Sequence, residues 1–308
     1  MDKVNSNLQK VLESGTFAVT AELGPPRNAD AAVVREKAKI LKGFADAVNI
    51  TDNQTAIVRM AGVAAAVMLM EQDIEPVVQM TCRDRNRLAM QSDILGMAAL
   101  GVKNILCLTG DHQKFGDNPE AKGVWDLDAV SLTRMVKDMR DEKKMASGVE
   151  MEVPPQLFIG VAENPFADPF ELRARRLAKK IEAGAQFVQT QIIYNVEKFE
   201  RWMEEVRALG LDKKAYVLAG ISPLKSAGMA KYMKNNVPGM DVPDAYIERM
   251  TKAKEEGRSP KEEGIKIAVE LIEKMKKIPG VAGAHVMAIE WEEAVPDIIK
   301  GTGLHPRP

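Results

Sequence analysis

One pattern recurs eight times along this chain: a short apolar run closed by a polar residue, then a stretch of helical length. The runs are FAVTAEL, AVNITD, PVVQMTC, NILCLTGD, FIGVAEN, FVQTQII, AYVLAGI and AHVMAI. Each is rich in Val, Ile and Leu, short enough for a strand, and bounded by polar, Gly or Pro residues. Strands that alternate with helices pair in parallel, and eight such units in 308 residues predict a closed (β/α)₈ barrel. That is an α/β fold in a single domain over residues 1–308. In such a barrel the active site lies at the C-terminal strand ends. Those ends carry Glu22, Thr51, Asp52, Thr81, Cys82, Asp111, Glu163, Asn164 and Gln191. Carboxylates and amides that close apolar strands cost free energy unless they are hydrogen-bonded or used. The pattern points to an enzyme.

Residues 5–13 read as a short amphipathic helix, with Leu8, Val11 and Leu12 on the side that plugs the barrel bottom. Helices are expected over residues 29–41, 55–70, 86–100, 127–144, 169–183, 196–209 and 224–234. Residues 111–125 form a long loop without apolar periodicity, and loops of that length at a catalytic face are commonly functional. The last crossover, residues 235–279, is oversized. Its run TKAKEEGRSPKEEG reads as solvated helix faces, while residues 265–275 have the apolar spacing to pack on the barrel. No low-complexity tract divides the chain.

Composition removes several function classes. A formal net charge of −1 argues against nucleic-acid binding. The longest apolar stretches fall short of the ~20 residues that span a bilayer, so no membrane insertion is expected. The N-terminus MDKVN lacks the basic and apolar regions of a signal peptide, and a cytoplasmic location is expected. Cys82 and Cys107 form no CxxC pair. His112, His285 and His305 are too scattered for a His-based metal site, so no metal is assigned. Aromatics are only 5% while Met numbers 18, so flexible thioethers fill core gaps that rings fill elsewhere.

Three strand-end residues invite chemistry, each with a plainer alternative. Glu22 sits in AELGPP, where Pro25 and Pro26 stiffen the following loop. A carboxylate at a buried strand end can have a raised pKa and act as a general acid; equally, it can pair with a basic residue in the rim. Asp111 follows Gly110, a residue that allows close approach of a strand or a flat ligand; it serves either a heterocycle or a loop cap. Gln191 offers a donor and an acceptor to a heterocycle edge, or satisfies buried backbone. No strand ends in Lys, so a Schiff-base mechanism lacks its nucleophile. No pair of strand-end histidines supports a binuclear-metal hydrolase. Glycines for a phosphate cradle after the seventh and eighth strands are only partly present, at Gly220, Gly301 and Gly303.

The series AELGPP, NITD, QMTCRDRN, LTGD and TQ, in this order from about Phe17 to the last strand, resembles the methylenetetrahydrofolate reductases. The resemblance implies a flavin-dependent (β/α)₈ barrel that reduces 5,10-methylenetetrahydrofolate to 5-methyltetrahydrofolate by hydride transfer from reduced flavin N5. It places the general acid on Glu22, a flavin- and folate-contacting aspartate on Asp111, and a pterin-contacting glutamine on Gln191. Further substrate contacts fall on Thr51, Met229 and Met233. The implied flavin contacts are Thr51, Gln79, Thr81, Leu108, Thr109, Gly110, Asp126, Ala162, Asn164 and Lys180.

The cofactor so implied is FAD, with FMN the alternative. Arg173 and Arg176 stand where shorter polar residues near the adenosine are the rule. Gln79 and Thr109 replace a histidine and an arginine of the better-studied bacterial branch. Aligned without gaps from Pro223, Met233 replaces that branch's phenylalanine, Met229 a glutamine and Trp291 an arginine. The motifs AELGPP and QIIY likewise replace more aromatic ones. The chain therefore looks closer to short reductases of anaerobes that act beside an iron–sulfur partner subunit, and a homo-oligomer is compatible with that likeness. It has no cysteine set for a cluster of its own. Two other classes stay open: a flavin-free barrel lyase or aldolase, and a non-catalytic barrel subunit of an electron-transfer complex.

Overall fold

In the computed structural model, which describes residues 4–237 and 239–308, eight parallel strands close in sequence order, the last paired back to the first. They are β1 (Ala18–Leu23), β2 (Ala47–Ile50), β3 (Pro76–Thr81), β4 (Asn104–Leu108), β5 (Phe158–Glu163), β6 (Phe187–Ile192), β7 (Tyr216–Ile221) and β8 (Val281–Val286). All eight apolar runs are strands. Residues 1–3, part of the stretch read for a signal peptide, and Pro238, in the last crossover, lie outside the described residues.

Alternate residues of each strand meet inside the barrel, in layers. The lower interior is one apolar cluster of Ala18, Ala47, Val77, Leu106, Phe158, Phe187 and Leu218, with Leu106 reaching up to the cavity above. The helix α1 (Asn7–Glu13) closes it from below with Leu8, Val11 and Leu12, and burying each such Leu or Val is worth about 1.5–3 kcal/mol. The cap holds α1 in place: Ser6 Oγ accepts from the Gln9 N–H at 3.1 Å. The Glu75 carboxylate accepts from the N–H groups of Asn7 and Leu8 at 2.7 and 3.0 Å, a negative charge where the helix dipole favours one. Gly160 is required at its position, because the Phe187 ring fills the space a Cβ would take.

Around the barrel run α2 (Ala31–Leu41), α3 (Gly62–Met70), α4 (Arg87–Ala99), α5 (Ala129–Asp141), α6 (Arg173–Ala183), α7 (Val196–Ala208) and α8 (Ala227–Asn236). The chain continues through α9 (Asp244–Glu255) and α10 (Pro260–Met275) and ends near α11 (Ala294–Gly301).

Two helices differ clearly from the sequence expectation. The helix expected from residue 55 begins at Gly62, because Asn53, Thr55 and Ala56 take positive φ in a tight 3₁₀ turn. That turn packs on a second one at Gln113–Phe115, where Gly116 lies so close to the Ala56 carbonyl that no Cβ fits. The helix expected over residues 127–144 stops at Asp141 and gives way to an irregular turn with a Lys144–Glu150 bridge. The oversized crossover holds two helices, and the charged run closes α9 and opens α10, matching the helix faces expected there. α10 starts at Pro260, late in the charged run, since Ser259 accepts from the Glu262 N–H and Pro suits the first turn.

Candidate active site

Above the apolar floor lies a layer of polar side chains, all nearly or fully buried: Thr20, Asn49, Gln189 and His285. The strand register sets Thr20 beside His285. The amides of Asn49 and Gln189 bond each other twice, at 2.6 and 2.9 Å. Gln189 Nε2 also donates to Thr20 Oγ1 at 3.1 Å, and Thr20 Oγ1 lies 2.9 Å from His285 Nδ1. Of the partners of Thr20 Oγ1 among the described residues, only Nδ1 can accept its proton, Gln189 Nε2 being a donor, and this assigns the ring N–H to Nε2. Burial pushes the His285 pKa down to about 3, so the ring is neutral.

One layer higher, Glu22 ends β1 with its side chain 10% exposed, His285 Nε2 lying 3.9 Å from Oε2. Burial raises its pKa to about 7. The Gln79 Nε2 group, 3.5 Å away, opposes that rise only weakly, and the negative charge of Glu292 adds to it. The loop above is pinned, since Arg59 donates to the Pro25 carbonyl at 3.0 Å. Glu22 is thus a carboxylic acid that keeps its proton to near neutrality.

Glu22 opens onto a cavity of about 240 Å³, walled by Leu106, Leu108, Ala162 and Met287 and edged by Gln79, Asn164 and Gln191. Drug-sized ligands usually occupy about 300–1,000 Å³, so this space suits one ring system, with the rest of any larger ligand over the rim. Gln191 Oε1 accepts from the Ile192 N–H at 2.9 Å, which fixes its amide.

The other expected site residues divide into three groups. Thr51, just past β2, is buried, and its hydroxyl has no partner among the described residues. Gly110 has φ +91, and a Cβ there would press on the Thr81 side chain at 3.0 Å, so the turn needs glycine. Gln79, Leu108, Ala162 and Asn164 border the cavity, whereas Thr51 and Gly110 are not among its lining residues. A second group is committed to protein partners. Thr81 donates to Asp52 at 2.8 Å, and Asp52 also pairs with Arg85. Thr109 Oγ1 accepts the first N–H of α5 at 3.1 Å. Asp126 pairs with Arg87 at 2.8 Å, whose hydrogen bonds hold its carboxyl below the usual range. Lys180 pairs with Glu163 at 2.7 Å, both buried, and donates to the Ala162 carbonyl.

The third group lies apart from the cavity. Asp111 is exposed at the rim, its carbonyl accepting from Arg83 at 3.2 Å. Met233 is buried in the core, where the Tyr194 hydroxyl donates to its sulfur at 3.6 Å. Met229 accepts from the Lys225 N–H, and the Lys261 ammonium lies over Trp291 at 5.6 Å. The expectation that Met229 and Met233 line the substrate site is therefore corrected: α8 turns both toward protein.

Sequence reasoning missed Gln189, His285, Lys37 and Glu292. For the first two a signal existed. Counting back by two from Gln191 gives Gln189, and the strand's period of two puts both on one face. The same count from Glu22 gives Thr20, which bonds to His285 in the last strand.

A family model described as "Methylenetetrahydrofolate reductase" matches residues 7–303. Methylenetetrahydrofolate reductases 1 and 2 of Schizosaccharomyces pombe are 24% and 27% identical, over 75% and 78% of this chain. The matches cover 36% and 37% of those proteins, so the chain spans little more than a third of their length. The 5,10-methylenetetrahydrofolate reductase of Escherichia coli is 22% identical over 76% of this chain and 72% of its own. Among solved structures, a Clostridium thermocellum protein that binds two copies of 5-methyl-5,6,7,8-tetrahydrofolic acid aligns with TM-score 0.63. That alignment covers 96% of this chain and 98% of the other at 14% identity, a likeness of fold.

Proposed function

This chain belongs to the methylenetetrahydrofolate reductase family, and we propose that it reduces 5,10-methylenetetrahydrofolate to 5-methyltetrahydrofolate with a flavin bound over the strand ends. The observation that carries the reading is Glu22, a buried carboxyl with a pKa near 7 facing an apolar-walled cavity. A flavin fits the residues present. Thr51 offers a buried hydroxyl that lacks a partner among the described residues, and Leu108 and Ala162 offer apolar walls. Gln79 and Asn164 supply polar edges, while Thr109 caps α5 and Thr81, Asp126 and Lys180 act from behind through Asp52, Arg87 and Glu163. Bound there, the flavin (FAD in this reading, FMN the alternative) supplies the hydride.

The chain's own residues manage the proton and the charge. Glu22 holds its proton at the carboxyl up to about pH 7 and passes it to the bridging nitrogen of the substrate, which opens the five-membered ring. The one-carbon unit is left cationic, and Asp111 at the rim places a negative charge toward it. Gln191, its amide fixed, meets the pterin edge. The walls of Leu106, Leu108 and Met287 exclude water. When Glu22 has lost its proton, the N–H of neutral His285 lies toward the new carboxylate.

For the electron donor, this reading favours an iron–sulfur partner subunit over NADH. Met233, at the position that shapes the nicotinamide face in the other branch, is turned into the core. Cys82 and Cys107 are buried, and burial pushes both thiols up to about 12. The loop of residues 111–125 exposes Phe115, Val124 and Trp125 beside the cavity, a surface a partner can meet. The test is the visible spectrum of the purified protein, mass identification of the released cofactor, and turnover of methylenetetrahydrofolate with reduced viologen. A protein that neither carries nor takes up flavin would overturn the reading and favour a flavin-free lyase.

A further inference from the structure

Glu22 borders two cavities. Beside the large one lies a smaller space of about 30 Å³, lined by Glu22, Gly24, Lys37, Arg59, Glu290 and Glu292 among others. That space has room for water, which needs roughly 10–15 Å³ of such volume per site. Its walls are polar. Arg59 has a buried Nε–H with no protein acceptor among the described residues, the kind of donor that one water satisfies. At the outer end, Lys37 Nζ donates to Glu292 Oε1 at 2.6 Å and to the Gly24 carbonyl at 3.4 Å. The Glu292 side chain is 5% exposed and that of Lys37 is 23% exposed, so the pair spans from the interior to solvent.

We propose that this small cavity is the path by which Glu22 regains its proton from solvent, with the Lys37–Glu292 pair at its outer end. The inference rests on Glu22 being the acid of the reaction. Each turnover takes one proton from Glu22 to the folate nitrogen. Ligands over the large cavity separate Glu22 from bulk water on that side, and its other neighbours there do not relay protons. Gln79 does not titrate, His285 is neutral with its proton fixed by Thr20, and Glu163 is held by Lys180. On the small-cavity side stand Lys37, Arg59, Glu290 and Glu292. Arg59 does not release a proton, and Glu290 points outward, 71% exposed. The Glu292 carboxyl takes a proton from solvent or from the Lys37 ammonium, which refills from solvent. One water then relays it to the Glu22 carboxylate. Along this path solvent loses one proton and the folate gains one; the hydride it also gains comes from the reduced flavin, which the external donor restores with two electrons and a second proton from solvent. Glu292 is a positioning and relay residue; it does not touch substrate.

The test uses flavin-loaded protein, reduced anaerobically at pH 6 so that Glu22 starts protonated. The first turnover with methylenetetrahydrofolate is timed by stopped flow and compared with steady-state turnover driven by excess reduced viologen. In Glu292→Gln the first turnover is expected within about 3-fold of wild type, whereas steady-state turnover falls by about 10-fold or more. Glu292→Asp should recover most of the loss. The double change Lys37→Met/Glu292→Gln leaves no unpaired buried charge and should show the same selective loss, which guards against a folding defect in the single variant. Equal slowing of first and later turnovers, or no slowing, overturns the path. Glu22→Gln in the same assay separates the two claims: a normal first turnover there removes Glu22 as the acid, whatever Glu292 does.

Discussion

Replacing Glu22 with Gln keeps the shape of the side chain and removes its titration, so stability should respond to pH in a defined way. In the folded protein the Glu22 carboxyl is raised from 4.5 to about 7, chiefly by burial. In the unfolded chain it titrates near its ordinary value. Below pH 4.5 both states hold the neutral acid, and wild type and variant should be close in stability. As pH rises through 7 the wild type must fold around a buried carboxylate, and the favourable contribution of the neutral acid is lost. At 1.36 kcal/mol per pH unit, the rise corresponds to about 2–4 kcal/mol. Glu22→Gln should therefore gain that much over wild type between pH 4.5 and pH 8.5, most of it between pH 5 and 7. Urea unfolding of both proteins at four or five pH values measures the difference, in which other titrating groups cancel. A difference that stays within about 0.5 kcal/mol across the range would refute the raised pKa, since a change of one unit alone is worth more than that.

Lys180→Met leaves Glu163 buried without its partner and should cost about 3–5 kcal/mol by urea unfolding, while adding Glu163→Leu should recover most of it. Thr51→Val removes a hydroxyl without a protein partner, so ligand-free stability should hold within about 0.5 kcal/mol while flavin affinity weakens about 2–10-fold. Asp111→Asn should slow oxidation of the reduced flavin by folate about 10-fold or more but leave flavin reduction nearly unchanged; equal slowing of both would assign Asp111 a structural role. In anaerobic stopped flow the isolated flavin-loaded chain should be bleached slowly by NADH and rapidly by reduced viologen. Rapid bleaching by NADH at the turnover rate would remove the need for a partner.

The barrel was legible because its signal is periodic and repeated: eight apolar runs of strand length, each followed by a helix, become eight parallel strands in order. Glu22 and Gln191 were legible for the same reason, since both fall at strand ends where this fold puts chemistry. The residues that set their environment were not. His285 belongs to the last strand and Thr20 to the first, 265 positions apart, and only closure of the barrel joins them. The Lys37–Glu292 pair joins α2 to the segment before α11, again a contact that no local pattern encodes. Helix starts failed where two loops shape each other. The 3₁₀ turn at Gln54–Ala56 exists because the loop of residues 111–125 packs on it, so propensity at Thr55 does not decide its conformation. Met229 and Met233 show the limit of transferring positions without gaps. Both lie on α8, whose rotation about its axis the core sets.

The central claim is that Glu22 carries its own proton at neutral pH and delivers it to substrate in the cavity. Single-turnover reduction of methylenetetrahydrofolate by pre-reduced, flavin-loaded protein, followed from pH 5.5 to 8.5, tests it most directly. The wild-type rate should fall as pH rises through about 7, the pKa set by burial. Glu22→Gln should be slower by about 10²–10⁴-fold below that pH and show no such titration. A loss under about 5-fold, or the same pH profile in both proteins, would contradict the assignment.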